Sequence, residues 1–126
     1  MKTHILKFLV LSFIIFVSCK KESIDAISDN DKLAQLRAEV ELFAKNNACS
    51  GSDNCKVMGI GSKPCGGPSE YIVYSLTSTD EKQLVSKVNE YTEFQKVYND
   101  KNPIFSDCLV LPVPTVDCLN GVCTKK

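Results

Sequence analysis

The sequence predicts a small α+β domain, with two helices packed on a mainly antiparallel sheet and disulfides stapling the whole. Three observations lead there. Two stretches carry apolar residues at three- and four-residue intervals. Short runs rich in β-branched and aromatic residues follow each of them, the last closing on Asn120-Gly121. Seven cysteines occur in 126 residues, six of them within the segment that these elements occupy. Helices and strands in that order, without regular alternation, point to α+β rather than α/β.

The first helix is expected from Asp29-Asn30-Asp31, which offers capping oxygens and negative charge at a helix start. Leu33, Leu36, Val40, Phe43 and Ala44 form its apolar side, opposite Lys32, Arg37, Glu39, Glu41 and Lys45. Asn46-Asn47 and the Ser50–Asn54 loop end it. Lys56–Gly61 is a short strand, Ser62–Ser69 a turn-rich loop, and Glu70–Leu76 the best strand in the chain. Together they read as a hairpin with an elaborate loop. Ser78, Thr79 and Asp80 can cap a second helix whose stripe is Leu84, Val88, Tyr91, Phe94 and Tyr98, widened by Val85 and Val97. It ends over Asn99–Pro103, because proline disfavours helical geometry in the residue before it.

Cys108-Leu109-Val110-Leu111 is expected to be a further strand, and Val116–Cys123 a terminal hairpin. Asn-Gly suits a type I′ turn, whose two central residues both need positive φ. With that turn at the tip, Cys118 faces Cys123 at a non-hydrogen-bonded position, where side chains lie closest. A Cys118–Cys123 bridge is therefore expected.

Export is written into residues 1–18. Lys2, His4 and Lys7 precede the apolar run Phe8–Val17, and Ser18 sits at the cut, the layout of a secretory signal. As a helix the run rises about 15 Å against a hydrocarbon core of roughly 30 Å, too short for an ordinary span. Phe16-Val17-Ser18-Cys19 resembles a lipobox, although Phe16 stands where leucine is commonest. The resemblance implies a lipoprotein cut before Cys19, with palmitate-type lipid on that cysteine holding the protein to a membrane. Lys20-Lys21-Glu22 resembles the start of lipoproteins of one large Gram-negative group, which implies the outer membrane. Residues 19–28 then form a polar tether and 29–126 the cysteine-rich domain.

Composition narrows what such a domain does. The chain carries 15 basic and 15 acidic residues, so losing Lys2 and Lys7 leaves a slight acidic excess. Nothing there neutralises phosphates, and nucleic acid is excluded as a partner. Cys49, Cys55, Cys65, Cys108, Cys118 and Cys123 form an even set in a small exported chain, which reads as a disulfide framework. A zinc site is the rival reading; an oxidising compartment and the lack of any CxxC pair argue against it. No metal and no cofactor are expected.

His4 is the only histidine and leaves with the signal. Histidine-dependent triads, dyads, general bases and metal ligands are thereby excluded from the mature chain. Chemistry by carboxylates or by a Ser-Lys pair survives, without a recognisable motif.

Gly61–Pro68 followed by Tyr71–Ser75 resembles a family of small secreted bacterial proteins and lipoproteins with a CGGP segment. A cysteine pair like Cys49 and Cys55, a Ser106-Asp107-Cys108 element and a terminal Cys118–Cys123 hairpin extend the likeness along most of the domain. The resemblance implies a fold and no activity. Within it, Lys63, Pro64, Gly66, Gly67 and Pro68 are the candidate binding loop, with Lys63 expected to protrude. A loop made rigid by proline, glycine and a cysteine is what a protease inhibitor presents, and also what a stapled turn needs merely to fold. The reading is a lipid-anchored, non-catalytic protein-binding module of the cell envelope, with an extracellular protein or protease as partner. A small envelope enzyme and a structural or adhesion component of the surface are the alternatives.

Overall fold

A computed structural model describes residues 27–126 of the chain. The signal segment, Cys19 and the tether as far as residue 26 lie outside the described residues.

Helix α1 spans Asp29–Ala44 and helix α2 spans Glu81–Lys101. The cap of α1 is Ser28, one residue ahead of the expected acidic run; its hydroxyl accepts from Asp31 N at 3.2 Å. Asp29 and Asp31 sit instead in the first turn, where their charge complements the helix dipole. Asp80 caps α2 by accepting from Gln83 N at 3.1 Å, and the Gln83 amide reaches back to the same carboxylate at 2.8 Å.

Strands β1 (Cys55–Ile60) and β2 (Glu70–Ser75) pair antiparallel from Cys55 opposite Ser75 to Ile60 opposite Glu70. Period-two alternation turns Met58, Ile60, Ile72 and Tyr74 to one face. There they meet Leu36, Val40 and Ala44 of α1 and Leu84, Val88 and Tyr91 of α2, which together make the core. Phe94 packs against its edge, whereas Val85 and Val97, expected to widen the α2 stripe, are exposed.

Strands β3 (Val116–Leu119) and β4 (Val122–Lys125) form the terminal hairpin, with Asn120 (φ 53°) and Gly121 (φ 77°) at its tip as a type I′ turn requires. The sheet is thus two separate two-stranded antiparallel ribbons. A two-stranded ribbon of this length is marginal alone, and β4 gains a neighbour in residues 47–49. Cys49 N donates to Gly121 O and Cys123 N to Asn47 O, each at 2.9 Å.

All six domain cysteines are bridged, as Cys49–Cys118, Cys55–Cys123 and Cys65–Cys108. The expected Cys118–Cys123 bridge is not made. The two residues do face each other across β3 and β4, as the turn demands. Each sulfur bonds outward, because that face of the ribbon lies against the end of α1 and the start of β1, which bring Cys49 and Cys55 to it. Bridges over separations of 69 and 68 residues tie the ribbon to the body; a bond across the hairpin would restrict little more than the turn already does.

Nor is Cys108–Leu111 a strand. Residues 103–115 carry no regular secondary structure, and Leu109 and Val110 are exposed. The residues are strand formers, but no sheet edge pairs with them, and Pro112 and Pro114 remove two donors from the stretch that follows. No helix among the described residues is long and apolar enough to cross a membrane.

Candidate functional site

The CGGP loop closes on itself and is bolted at its base to α2. Lys63 N donates to Gly67 O at 3.0 Å and Gly66 N to Lys63 O at 2.9 Å, with Gly66 and Gly67 at φ 92° and 80°. Below the turn, Thr92 Oγ1 accepts from Gly61 N at 3.1 Å and Gln95 Oε1 from Ser62 N at 2.7 Å. Asn99, itself buried, returns a bond to Ser62 O at 2.8 Å. Gly61 (φ 71°) is required here, since a Cβ would sit 2.1 Å from Ser69 Oγ and 2.2 Å from Gln95 Oε1.

Thr92, Gln95 and Asn99 escape a reading based on apolar periodicity. They continue the inward side of α2 with polar groups, Thr92 four residues after Val88, Gln95 four after Tyr91 and Asn99 four after Gln95. Only the loop that they meet explains why they are polar.

Lys63 does not protrude. Its side chain is 16% exposed, and its ammonium donates to Leu109 O at 2.7 Å with Asp107 Oδ1 at 4.0 Å. The lysine is an internal strut between the CGGP loop and the segment opposite. Pro64, Cys65, Gly66 and Gly67 are exposed and Pro68 is half-buried. The Cys65–Cys108 bridge closes the same gap at the surface. The cleft between the two segments holds about 140 Å³, below the size of ordinary small-molecule sites. Its floor includes Tyr71, whose hydroxyl donates to Leu111 O at 3.4 Å.

What this scaffold presents is the run after Cys108. Cys108 has a left-handed φ of 55° and turns the chain outward. Leu109 and Leu111 are each pinned by their carbonyl, and Val110 between them is 92% exposed. Phe105, on the other side of the bridge, is 97% exposed. Sequence reasoning placed Val110 in a strand, because an apolar β-forming run reads as buried unless the lack of a partner edge is known, and assigned Phe105 to no element.

No family model, curated protein or solved structure matches the chain.

The remaining cysteines form one cluster. The sulfurs of Cys49, Cys55 and Cys123 lie within 4.8 Å of one another. All three are already in disulfides, so none offers the thiolate that a metal would need. Beside them Asp117 is held ionised: its carboxyl is pulled down to about 2 by the Lys126 ammonium at 2.8 Å, then by the Ser52 hydroxyl and the Cys118 N–H. The arrangement is a structural clasp on the hairpin. Tyr74, part of the core, is pushed up to about 12, first by burial and then by its hydrogen bond to Glu81.

Proposed function

We propose that the protein is a lipid-anchored envelope module whose domain binds another protein without catalysis, through the run Leu109–Pro112 and the CGGP loop that supports it. One observation carries the reading: Val110 is 92% exposed on a backbone fixed on both sides. Filling a pocket with such a side chain yields roughly 1.5–3 kcal/mol. Ordering a free side chain and its loop on binding costs about 0.5–1.5 kcal/mol for each group immobilised, and the staples have removed most of that cost beforehand. The lipobox-like Phe16–Cys19 supports the anchor, and the Lys20-Lys21-Glu22 that follows supports the outer membrane as its address. Inhibition of a protease is the sharpest form of the reading, now with Val110 as the presented side chain in place of Lys63.

The enzyme alternative draws no support from the same region. A Ser-Lys pair needs a lysine amine beside a serine hydroxyl, and the Lys63 ammonium donates its hydrogen bond to a backbone carbonyl. The test has two arms. Palmitate labelling should mark the wild type and not Cys19→Ala. Affinity capture from the producer's envelope and medium should recover a defined protein with the wild type and lose it with Val110→Asp. Turnover of a small substrate with no such partner would overturn the reading.

A further inference from the structure

We infer that Ile27, Ile104 and Phe105 seat the domain on the lipid surface to which it is tethered, an inference that rests on the lipid-anchored reading above. Phe105 is almost wholly exposed, Ile104 and Ile27 more than half so, and none of the three belongs to the core cluster. Their place in the fold decides what covers them. Helix α1 begins where α2 ends: Tyr98 Oη donates to Asn30 Oδ1 at 2.6 Å, and Lys101 Nζ stands 3.5 Å from Asp29 Oδ2. Ile27 is two residues ahead of Asp29, and Ile104 three past Lys101. The segment that carries Ile104 and Phe105 is held to that end of the helix pair on both sides. It leaves from the α2 cap, where Asn102 N donates to Tyr98 O at 2.9 Å. It returns at Cys108, bridged to Cys65 of the loop whose Ser62 O accepts from Asn99 Nδ2 at 2.8 Å.

The tether has its root at this same end. Cys19 lies eight residues before Ile27, so at a full extension of about 3.3–3.6 Å per residue Ile27 stays within roughly 30 Å of the anchored cysteine. A second contact within such a reach is intramolecular and meets the surface at an effective concentration on the order of millimolar. A patch too weak to hold a free protein on a membrane then suffices to orient a tethered one. Its chemistry is apolar. Asp29, Asp31, Asp100 and Asp107 at this end are matched by Lys32, Lys63 and Lys101, a near balance that neither draws nor repels an anionic bilayer strongly. Apolar side chains in such a setting enter the boundary between headgroups and acyl chains to a depth of about 5–10 Å. Leu42 is also exposed but lies in the last turn of α1, the opposite end, where Ser78 donates to Asn46 O. The Leu109–Pro112 run lies past the Cys65–Cys108 bridge and is left to the protein partner.

The chain has no tryptophan, so one introduced by substitution reports alone. The lipidated mature chain carrying Phe105→Trp is reconstituted into vesicles of phosphatidylethanolamine and phosphatidylglycerol, with and without bromine on the acyl chains. Its emission should shift to the blue and be quenched several-fold by the brominated lipid. Both effects should persist at about 1 M salt, where charge acts over only about 3 Å. Leu42→Trp should emit as in water and stay unquenched. Adding Ile27→Asp and Ile104→Asp to Phe105→Trp should remove the shift and the quenching, with circular dichroism unchanged because both positions are exposed. Water-like emission from Phe105→Trp on vesicles that carry the protein overturns the inference and leaves the anchor standing. Equal quenching of Leu42→Trp, or loss of the effect in salt, overturns it too. So does a blue shift that appears only when envelope proteins are added, which would assign the patch to a protein. A chain that does not float with the vesicles overturns the anchor, and this inference with it.

Discussion

The ammonium of Lys63 and the carbonyl of Leu109, 46 residues apart, are joined by a 2.7 Å hydrogen bond that spans the cleft between the two exposed loops. The bond makes Lys63 a part of the frame. Replacing it with methionine keeps the stem and removes the donor. A charge-assisted bond at a mostly covered site is worth roughly 1.5–3 kcal/mol, so urea denaturation of Lys63→Met should show a loss of that order. Hydrogen exchange at Val110 and Leu111 should quicken alongside. A lysine that made the partner contact itself would show neither change.

The glycines of the CGGP region should separate sharply. Gly61→Ala forces a Cβ into Ser69 and Gln95 in addition to a left-handed φ, and should destabilise by more than about 3 kcal/mol or prevent folding. Gly66→Ala meets open space, and only its φ of 92° opposes it. That change should cost about 1–2 kcal/mol. Thermal melts of the two variants check the ordering.

Peptide mapping without reduction should recover Cys49–Cys118, Cys55–Cys123 and Cys65–Cys108. Limited reduction should open Cys65–Cys108 first, since both its residues are exposed while Cys55 and Cys123 are buried. Removing the first bridge as the Cys49→Ser, Cys118→Ser pair should cost roughly 3 kcal/mol by the loop-entropy relation, because with Cys55–Cys123 intact it closes a loop of only about a dozen residues.

Asp117 should set the acid limb of the stability curve. Its folded carboxyl titrates at about 2, against about 3.9 in an unfolded chain. The contribution is therefore complete above the unfolded value and is lost as pH falls through the folded one. Asp117→Asn should flatten the slope of stability between about pH 4 and pH 2, and should leave it unaltered near neutrality. Chemical denaturation at a series of acid pH values is the measurement.

Local chemistry made the helices and turns readable. The spacing of Leu84, Val88 and Tyr91 marked the buried side of α2, and Asn120-Gly121 marked a turn that depends on two residues alone. What escaped depends on segments far away in the chain. Cys118 and Cys123 face each other as the turn implies, yet their bonds are decided by the loop and strand laid against them. Gln95 and Asn99 are polar and inward, which apolar periodicity cannot register. Leu109 and Val110 have the composition of a strand, and only the missing neighbour distinguishes a presented loop from a buried ladder.

Every bridge joins one of the first three domain cysteines to one of the last three. A chain that emerges amino end first thus offers Cys49, Cys55 and Cys65 to an oxidant before any native mate exists, and each bond formed among them at that point is wrong. Maturation must therefore either wait for the final turn of the chain or pass through reshuffling. A break in translation just short of Cys118 would cost the domain two of its three staples at a stroke, although the core elements were already complete.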